Sequence, residues 1–322
     1  MLIALIQIIG GFILLVWAAD RLVAGAAASA SNLGISPLVI GLTVVGIGTS
    51  APEMVVSAIA ALQGNPGLAV GNAIGSNITN IGLVLGITAL IYPLTVESGL
   101  LRKEFPILLF IMIMATLLMW DGVLTQVDGY MLLTGLIVLL TYMVIVGMER
   151  GESDPLIQEY AAEIPRDMPM KTAIYWLVIG LILLPTSSAF LVEGAVTIAS
   201  TYGISDTVIG LTIVAFGTSL PELAASISSA LKHEDDIAIG NVIGSNMFNL
   251  LGVLGIGAAI TPITLESFVL TRDVIAMFGL TLLLFALAWR LKGAGRISRI
   301  AGFVLLVLYL TYSSVVVWQT LA

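Results

Sequence analysis

The sequence has no cysteine, one histidine and few charged residues. Asp, Glu, Lys and Arg together make up 10% of the 322 residues, whereas 59% are hydrophobic. The absence of cysteine excludes disulfides, thiolate metal sites and a cysteine nucleophile. A soluble globular domain is about one quarter charged. The composition therefore indicates a membrane protein without a separate soluble domain.

Positive charge is also scarce. The chain has 12 Lys and Arg against 20 Asp and Glu, a formal net charge of -8, and it contains no run rich in Lys or Arg. Proteins that bind nucleic acid present basic patches. We therefore expect no nucleic-acid partner.

Long apolar stretches, separated by short polar breaks, fill most of the chain. A helix needs about 20 apolar residues to cross a bilayer core of about 30 Å. The first stretch, residues 2–19, has no basic segment before it, which favours a first membrane span over a cleaved signal peptide. The ten predicted spans are residues 3–26, 37–62, 69–92, 104–120, 129–147, 172–193, 207–231, 237–260, 270–289 and 300–319.

One long polar segment, residues 148–170, divides the chain into the halves 1–147 and 171–322. With the N-terminus outside, eleven of the twelve Lys and Arg residues fall on the cytoplasmic side, and only Arg272 falls outside. Basic residues are preferentially retained in the cytoplasm. The sequence thus predicts an integral protein of the cell (inner) membrane, with both termini outside and the acidic linker 148–170 in the cytoplasm.

The two halves contain copies of one segment. A shift of 169 residues aligns residues 41–86 with 210–255 without a gap, and 23 of the 46 positions are identical. The copies occupy predicted spans 2 and 3 and spans 7 and 8, and an offset of five spans reverses the direction in which a helix crosses. The predicted fold is therefore an all-α membrane protein with ten transmembrane helices in two inverted five-helix repeats. Inverted repeats are typical of alternating-access transporters.

The first shared motif, Gly-Thr-Ser-x-Pro-Glu, ends at Glu53 in one copy and at Glu222 in the other, and these are the acids that the predicted spans place deepest. A charge there costs a few kcal/mol or more and normally faces a cavity or an ion. The alternative is a protonated glutamate that serves packing. Proline in the motif frees backbone carbonyls in the preceding turn. The other oxygen donors in and just before the motif are the hydroxyls of Thr49, Ser50, Thr218 and Ser219 and the carbonyls near Gly46, Ile47, Ala215 and Phe216.

The second shared motif, Gly-Asn-x-Ile-Gly-Ser-Asn, lies in the next helix. A spacing of four residues places its polar side chains on one helix face. Such a stripe can serve merely as contact between helices, but beside two glutamates it completes a cage of oxygens. The stripe consists of Asn72, Ser76 and Asn80 in the first copy and of Asn241, Ser245 and Asn249 in the second.

The chemistry of this cage favours hard cations. Its donors are carboxylate, amide, hydroxyl and carbonyl oxygens, and the single histidine, His233, lies in a loop. Ca²⁺ and Na⁺ take oxygen ligands, whereas softer metals prefer sulfur or imidazole. Two carboxylates balance one divalent ion or two monovalent ions, which is an electrostatic basis for exchange at one shared site.

At these motifs the sequence resembles the Ca²⁺/cation antiporter superfamily, specifically its sodium/calcium exchanger-like prokaryotic members. The resemblance implies that Glu53 and Glu222 supply the principal carboxylates of a central group of ion sites and that Asn80 and Asn249 complete its centre. It further implies that Na⁺ or Ca²⁺ is held by Thr49, Ser50, Ser76, Thr218, Ser219, Ser245 and the carbonyls of Gly46 and Ala215. Relatives with an Asp at the position of Asn249 include K⁺-dependent exchangers, so Asn249 argues against K⁺ co-transport. H⁺/Ca²⁺ exchangers of the superfamily carry a further acid in the second motif, which is absent here.

The sequence therefore predicts a secondary antiporter and not an enzyme. Its substrates are Ca²⁺ and Na⁺, it lies in the lipid bilayer, and it requires neither a cofactor nor a protein partner. From the resemblance we expect helices 1 and 6 to slide across the core. Three alternatives stay open: an exchanger of H⁺ for Ca²⁺ or another divalent cation, in which a glutamate releases a proton as the cation enters; a passive cation channel; and an intramembrane enzyme.

Overall fold

The computed structural model describes residues 2–33, 48, 50–96, 98–150, 168–231, 235–288 and 295–321. Part of the predicted span 37–62, including Gly46 and Thr49, lies outside the described residues, as does most of the linker 148–170.

Helices form nearly all of the described structure. In chain order they are α1 (Leu2–Asn32), α2 (Ala51–Leu62), α3 (Pro66–Ile91), α4 (Ser98–Leu118), α5 (Gln126–Arg150), α6 (Met170–Tyr202), α7 (206–218), α8 (Leu220–Leu231), α9 (235–260), α10 (Val269–Ala288) and α11 (Arg299–Leu321). Four of them contain a widened π-helical segment, at Asn80–Leu85, Gly210–Val214, Asn249–Val253 and Val269–Asp273.

Eight helical stretches within the described ranges are long and apolar enough to cross a membrane. Two shorter apolar helices, Ala51–Leu62 and Glu104–Leu118, accompany them. The structure thus supports a helical membrane protein, as the sequence predicts. Its longest helices, α1 and α6, continue to Asn32 and Tyr202, beyond the predicted ends at 26 and 193.

Two short antiparallel sheets, which the sequence analysis did not predict, join the halves of the chain. β1 (Leu94–Val96) pairs with β4 (Gly295–Ile297), and β2 (Val123–Leu124) pairs with β3 (Ile263–Thr264). β1 and β3 follow α3 and α9, the helices that carry the second motif. Each sheet therefore contains one strand from each half.

Helices α1 and α6 pack against each other as an antiparallel pair, and glycines set their separation. A Cβ atom at Gly25 would lie 2.5 Å from a backbone nitrogen of α6, and one at Gly180 would lie 2.6 Å from the Cβ of Leu22. Gly11 of α1 packs on Leu191 of α6. With the 169-residue shift, Gly11 corresponds to Gly180 and Leu22 to Leu191, so this contact is the symmetric copy of the contact between Gly180 and Leu22. The contacts within this helix pair therefore repeat the internal symmetry of the sequence.

Helices α3 and α9 lie in the interior. The spans of α3 and α9 are the most buried of the described membrane helices. Glycines again allow backbones to meet: a Cβ at Gly75 of α3 would lie 2.7 Å from the Cα of Leu211 on α7, and one at Gly210 would lie 2.5 Å from the carbonyl oxygen of Leu68. The second motif is thereby held at the centre of the bundle against the helix that carries the first.

A buried ion pair on α10 forms hydrogen bonds to α11. Asp273 is fully buried and accepts hydrogen bonds from Arg272 at 2.6 and 3.1 Å and from the Tyr312 hydroxyl at 2.8 Å. Arg272 also donates to Gln319 at 2.8 Å and lies over the ring of Phe268. The sequence analysis placed only Glu53 and Glu222 deep in the predicted spans and so missed the burial of Asp273.

Candidate cation site

The first motif lies where membrane helices are interrupted. In the second half, α7 ends at Thr218 and α8 begins at Leu220, with Ser219 between them at φ −84° and ψ 3°. Ser50, the corresponding residue before α2, has φ −90° and ψ 6°. The proline that follows each serine by two positions falls in the first turn of the next helix, where its missing N–H costs no helical hydrogen bond. The chain therefore starts a new helix at matching positions of the two copies.

These breaks put both candidate glutamates in the first turn of a helix. Glu53 and Glu222 are fully buried, and their carboxylates are close enough to repel each other. Neither oxygen of Glu53 has a hydrogen-bond partner among the described residues. For Glu222, Oε1 accepts a hydrogen bond from Ser245 Oγ at 3.2 Å, whereas Oε2 has no such partner. Buried carboxylates in this state require a cation or a proton.

The second motif faces these carboxylates at the two π-helical segments that begin at Asn80 and Asn249. Such segments occur frequently at functional sites. The Asn80 amide donates to Ser245 Oγ at 3.2 Å and to Asn246 Oδ1 at 3.0 Å, and its own oxygen has no described partner. Neither the oxygen nor the nitrogen of the Asn249 amide has one. The amide oxygens of both residues are therefore buried and without a partner in the described part of the chain.

Serine hydroxyls connect the two copies of the motifs. Ser50 Oγ lies 3.2 Å from Ser245 Oγ, and Ser245 in turn contacts Glu222. When the hydroxyl of Ser245 donates to the carboxylate, Ser50 is the donor to Ser245, because a hydroxyl has one hydrogen. Ser219 Oγ is buried and has no described partner. One site is thus formed from both halves of the chain.

Several of the buried oxygens without a described partner belong to the two motifs. Within the described part of the chain there is no group of three or more His, Cys, Asp and Glu side chains that could hold a metal. The donors that remain are two carboxylates and several neutral oxygens, a set that suits Ca²⁺ or Na⁺. The predicted site residues that contribute such oxygens are Glu53, Glu222, Ser219, Asn80 and Asn249.

Other predicted ligands already have hydrogen-bond partners. Thr218 Oγ1 donates to Val214 O at 3.0 Å or to Asn72 Oδ1 at 3.2 Å, and Ser76 Oγ donates to Asn72 Oδ1 at 3.4 Å. The carbonyl of Ala215 accepts the backbone N–H of Ser219 at 3.1 Å, so the proline has not freed it.

Two residues near the site were not singled out as site residues from the sequence. Asn246 accepts a hydrogen bond from Asn80. Asn72, which was only part of a polar stripe, contacts Ser57 and three predicted site residues, Glu53, Ser76 and Thr218. Both are identical to their counterparts in the other copy, Asn77 and Asn241. That identity is the signal that could have found them.

Helix α1 covers the glycine that precedes each Thr-Ser pair. A Cβ at Gly217 would overlap the ring of Phe12, and a Cβ at Gly48 would overlap the side chain of Val23. The α6 counterpart of Phe12, Leu181, is instead 58% exposed. Helix α1 therefore packs on the first motif through Phe12, whereas the corresponding residue of α6 is exposed.

Comparisons with known proteins identify the family. The model of the sodium/calcium exchanger protein family matches residues 3–149 and 172–318. The chain is 44% identical to the inner membrane protein YrbG of Escherichia coli, over 90% of each chain, and 31% identical to the sodium/calcium exchanger MaX1 of Methanosarcina acetivorans, over 94% of this chain and 95% of that one. A solved structure of the sodium-calcium exchanger NCX_Mj, soaked with Na⁺ and Sr²⁺, is 36% identical, with a TM-score of 0.64, and the match covers 97% of this chain and 98% of that one.

These matches confirm the expectation of an integral membrane transporter and not an enzyme, and they confirm the resemblance drawn from the two motifs. The family model spans both halves of the chain, with residues 150–171 between its two matched segments. The chain belongs to the sodium/calcium exchanger protein family.

Proposed function

We propose that this protein is an antiporter that exchanges Na⁺ for Ca²⁺ by alternating access at a site between Glu53 and Glu222. The observation that carries the proposal is the set of buried oxygens without partners around these two carboxylates. Na⁺ and Ca²⁺ would compete for the same two charges. Since the carboxylates are costly to bury without a cation, the protein changes its accessible side only when the site is loaded.

The proposed architecture is ten transmembrane helices in two inverted five-helix repeats. Eight spans, the two shorter apolar helices α2 and α4, and the 169-residue relation between contacts of α1 and α6 support it. The domain limits are those of the sequence: repeats in 1–147 and 171–322 on either side of the linker 148–170.

The proposed orientation places both termini outside and the linker in the cytoplasm of the inner membrane. The Lys and Arg distribution supports it, and one relative is named as an inner membrane protein. In this orientation β1 and β4 lie at the cytoplasmic end of the bundle and β2 and β3 at the outer end. Ca²⁺ export driven by Na⁺ entry is the physiological direction that we propose.

The proposed ligands extend to the complete predicted set. Glu53 and Glu222 hold the charge of the ion, and Asn80, Asn249, Ser50, Ser219 and Ser245 surround it. Thr218 and Ser76 join them through hydroxyl lone pairs, Ala215 through its carbonyl, and Gly46 and Thr49, outside the described residues, by repeat symmetry. The pair α1 and α6 slides to open one face at a time, which the unequal cover of Gly48 and Gly217 by Val23 and Phe12 supports.

The test is ⁴⁵Ca²⁺ uptake into proteoliposomes preloaded with Na⁺, K⁺ or choline, at one pH on both sides. Uptake confined to Na⁺-loaded vesicles is the expected result. Uptake that follows an imposed pH gradient and ignores Na⁺ would replace the proposal with H⁺/Ca²⁺ exchange. Equal uptake in all vesicles would indicate a passive channel.

A further inference from the structure

We infer that Asn72 is a positioning residue, which orients the hydroxyls of Ser76 and Thr218 so that their lone pairs face the transported cation. The inference rests on the proposed function, and it assigns to Asn72 a role different from that of a ligand. Asn72 lies on α3 and is fully buried.

The side chain of Asn72 uses its whole hydrogen-bonding capacity. Its amide nitrogen donates to the backbone carbonyl of Glu53 and to Ser57 Oγ, both at 3.2 Å. Its amide oxygen accepts from Thr218 Oγ1 at 3.2 Å and from Ser76 Oγ at 3.4 Å. An asparagine side chain has two donor hydrogens and two acceptor lone pairs. When both hydroxyls donate to this oxygen, it has no lone pair left for a cation.

The two donors to Asn72 Oδ1 are hydroxyls, and this decides how they can bind an ion. A hydroxyl has one hydrogen and two lone pairs, and a hydrogen that points at a cation opposes binding. Asn72 accepts that hydrogen from Ser76 and from Thr218, so the lone pairs of both are free. Thr218 can also donate to Val214 O on its own helix, but that bond does not fix the hydroxyl relative to α3. The hydrogen bond to Asn72 does fix the Thr218 hydroxyl relative to α3, because Asn72 lies on that helix.

The other contacts of Asn72 fix its orientation. A flipped amide would place its oxygen against the carbonyl oxygen of Glu53, and two acceptors with no hydrogen between them repel each other. The side-chain amide of Asn72 therefore connects, through hydrogen bonds, the start of α2, the polar stripe on α3 and the end of α7. In the second copy, Asn241 donates to Ser226 Oγ at 3.5 Å, which repeats the contact of Asn72 with Ser57. The counterpart of Thr218 there, Thr49, lies outside the described residues.

A double-mutant cycle tests this inference. Asn72→Ala raises the Ca²⁺ concentration for half-maximal uptake about tenfold, the loss expected for one or two oriented hydrogen bonds, and leaves the maximal rate within about twofold. In a Thr218→Val or a Ser76→Ala background, Asn72→Ala raises the Ca²⁺ concentration for half-maximal uptake only about threefold, because one of the oriented hydroxyls is gone. A tenfold effect in all backgrounds, or no effect of Asn72→Ala on half-maximal uptake, would overturn the inference.

Two further variants separate positioning from packing. Asn72→Ser keeps a small polar side chain, so it folds more readily than the alanine variant. Its effect on half-maximal uptake should also be smaller in the Thr218→Val and Ser76→Ala backgrounds than in the wild type. Asn77→Ala is the matched control: Asn77 is a buried asparagine of α3 whose amide contacts Met277 Sδ at 3.6 Å. It should lower the thermal unfolding midpoint without any coupling to Thr218→Val, whereas coupling as large as that of Asn72 would refute a specific role.

The Ca²⁺-induced rise in Tm of the detergent-solubilised protein serves as a second measure of the site. It needs no counter-ion, so the cycle can be measured on Ca²⁺ binding alone. Failure of the proposed exchange would show as absent Na⁺-driven uptake with this rise intact. Failure of the present inference would show as equal effects of Asn72→Ala in all backgrounds.

Discussion

The hydroxyl oxygens of Ser50 and Ser245 lie 3.2 Å apart, although 195 positions separate them in the sequence. Ser50 precedes α2 in the first half, and Ser245 lies on α9 in the second. Ser245 also contacts Glu222 and Asn80, one from each half. The two halves of the chain therefore meet at Ser245, where the proposed function has Na⁺ and Ca²⁺ compete.

Neutralising either glutamate should stop transport. In Glu53→Gln or Glu222→Gln the site keeps its shape but holds one negative charge, which cannot balance a divalent ion. We expect Na⁺-dependent Ca²⁺ uptake to fall to the level of protein-free vesicles. Glu193→Gln is the control, because Glu193 is an exposed residue of α6 that accepts a hydrogen bond from Gln7; it should keep the wild-type rate. Wild-type uptake in either site variant would remove the proposed mechanism.

Filling the space at Gly217 should impair the protein, because a Cβ there overlaps the ring of Phe12. Overpacking of this kind costs about 1–3 kcal/mol, so Gly217→Ala should lower Tm and slow uptake. The double variant Gly217→Ala/Phe12→Leu should recover part of both losses. Gly10→Ala, a change on α1 with nothing within 4 Å of the new atom, should leave both near wild type. Equal behaviour of the Gly217 and Gly10 variants would show that α1 does not lie against the motif.

Breaking the buried pair on α10 should destabilise the protein. Asp273→Ala leaves the side chain of Arg272, 14% exposed, without its carboxylate, and loss of one partner of a buried pair costs about 3–5 kcal/mol. Tm should fall, while the Ca²⁺ concentration for half-maximal uptake by the folded fraction stays unchanged. Asp20→Asn removes an exposed acid 3.7 Å from Arg21 and should cost at most about 1 kcal/mol. Similar Tm values for the two variants would contradict the pairing.

Cation selectivity should follow the oxygen chemistry of the site. Ca²⁺ at about 100 times its Kd should stabilise the folded protein by about 2.7 kcal/mol, and excess Na⁺ should suppress that gain by competition. Excess K⁺ should not. Thermal unfolding in matched chloride salts measures this. If Na⁺ and K⁺ had the same effect, the proposed competition at Glu53 and Glu222 would be excluded.

Sequence symmetry was enough to find the family and the two glutamates. The Gly-Thr-Ser-x-Pro-Glu motif occurs twice, and the structure buries both of its acids completely. The spans were also close to the described helices, since apolar length is the signal for crossing a bilayer. The assignment of individual oxygens as ligands remains a prediction.

Hydrogen-bond direction and contact between distant segments could not be predicted in the same way. A spacing of four puts Asn72 on the face of Ser76, but only the positions of Ser57 and Thr218 show that both the nitrogen and the oxygen of its amide have partners. The end of α1 was missed because the small residues after Gly25 lack an apolar period. The burial of Asp273, near the start of the predicted span 270–289, was missed because the sequence does not show that Tyr312 lies beside it.

The pairing of β1 with β4 and of β2 with β3 also bears on how the protein is made. Within the described chain, each of these strands is completed by the other half. A ribosome delivers the first half before the second exists, so the new chain holds two open strand edges, one at each end of α4. The two strands are only three and two residues long, and short edge strands limit pairing between molecules. Until the second half is made, the backbone groups of both strands lack the hydrogen-bond partners that the folded protein gives them, so each sheet can form only after most of the chain exists.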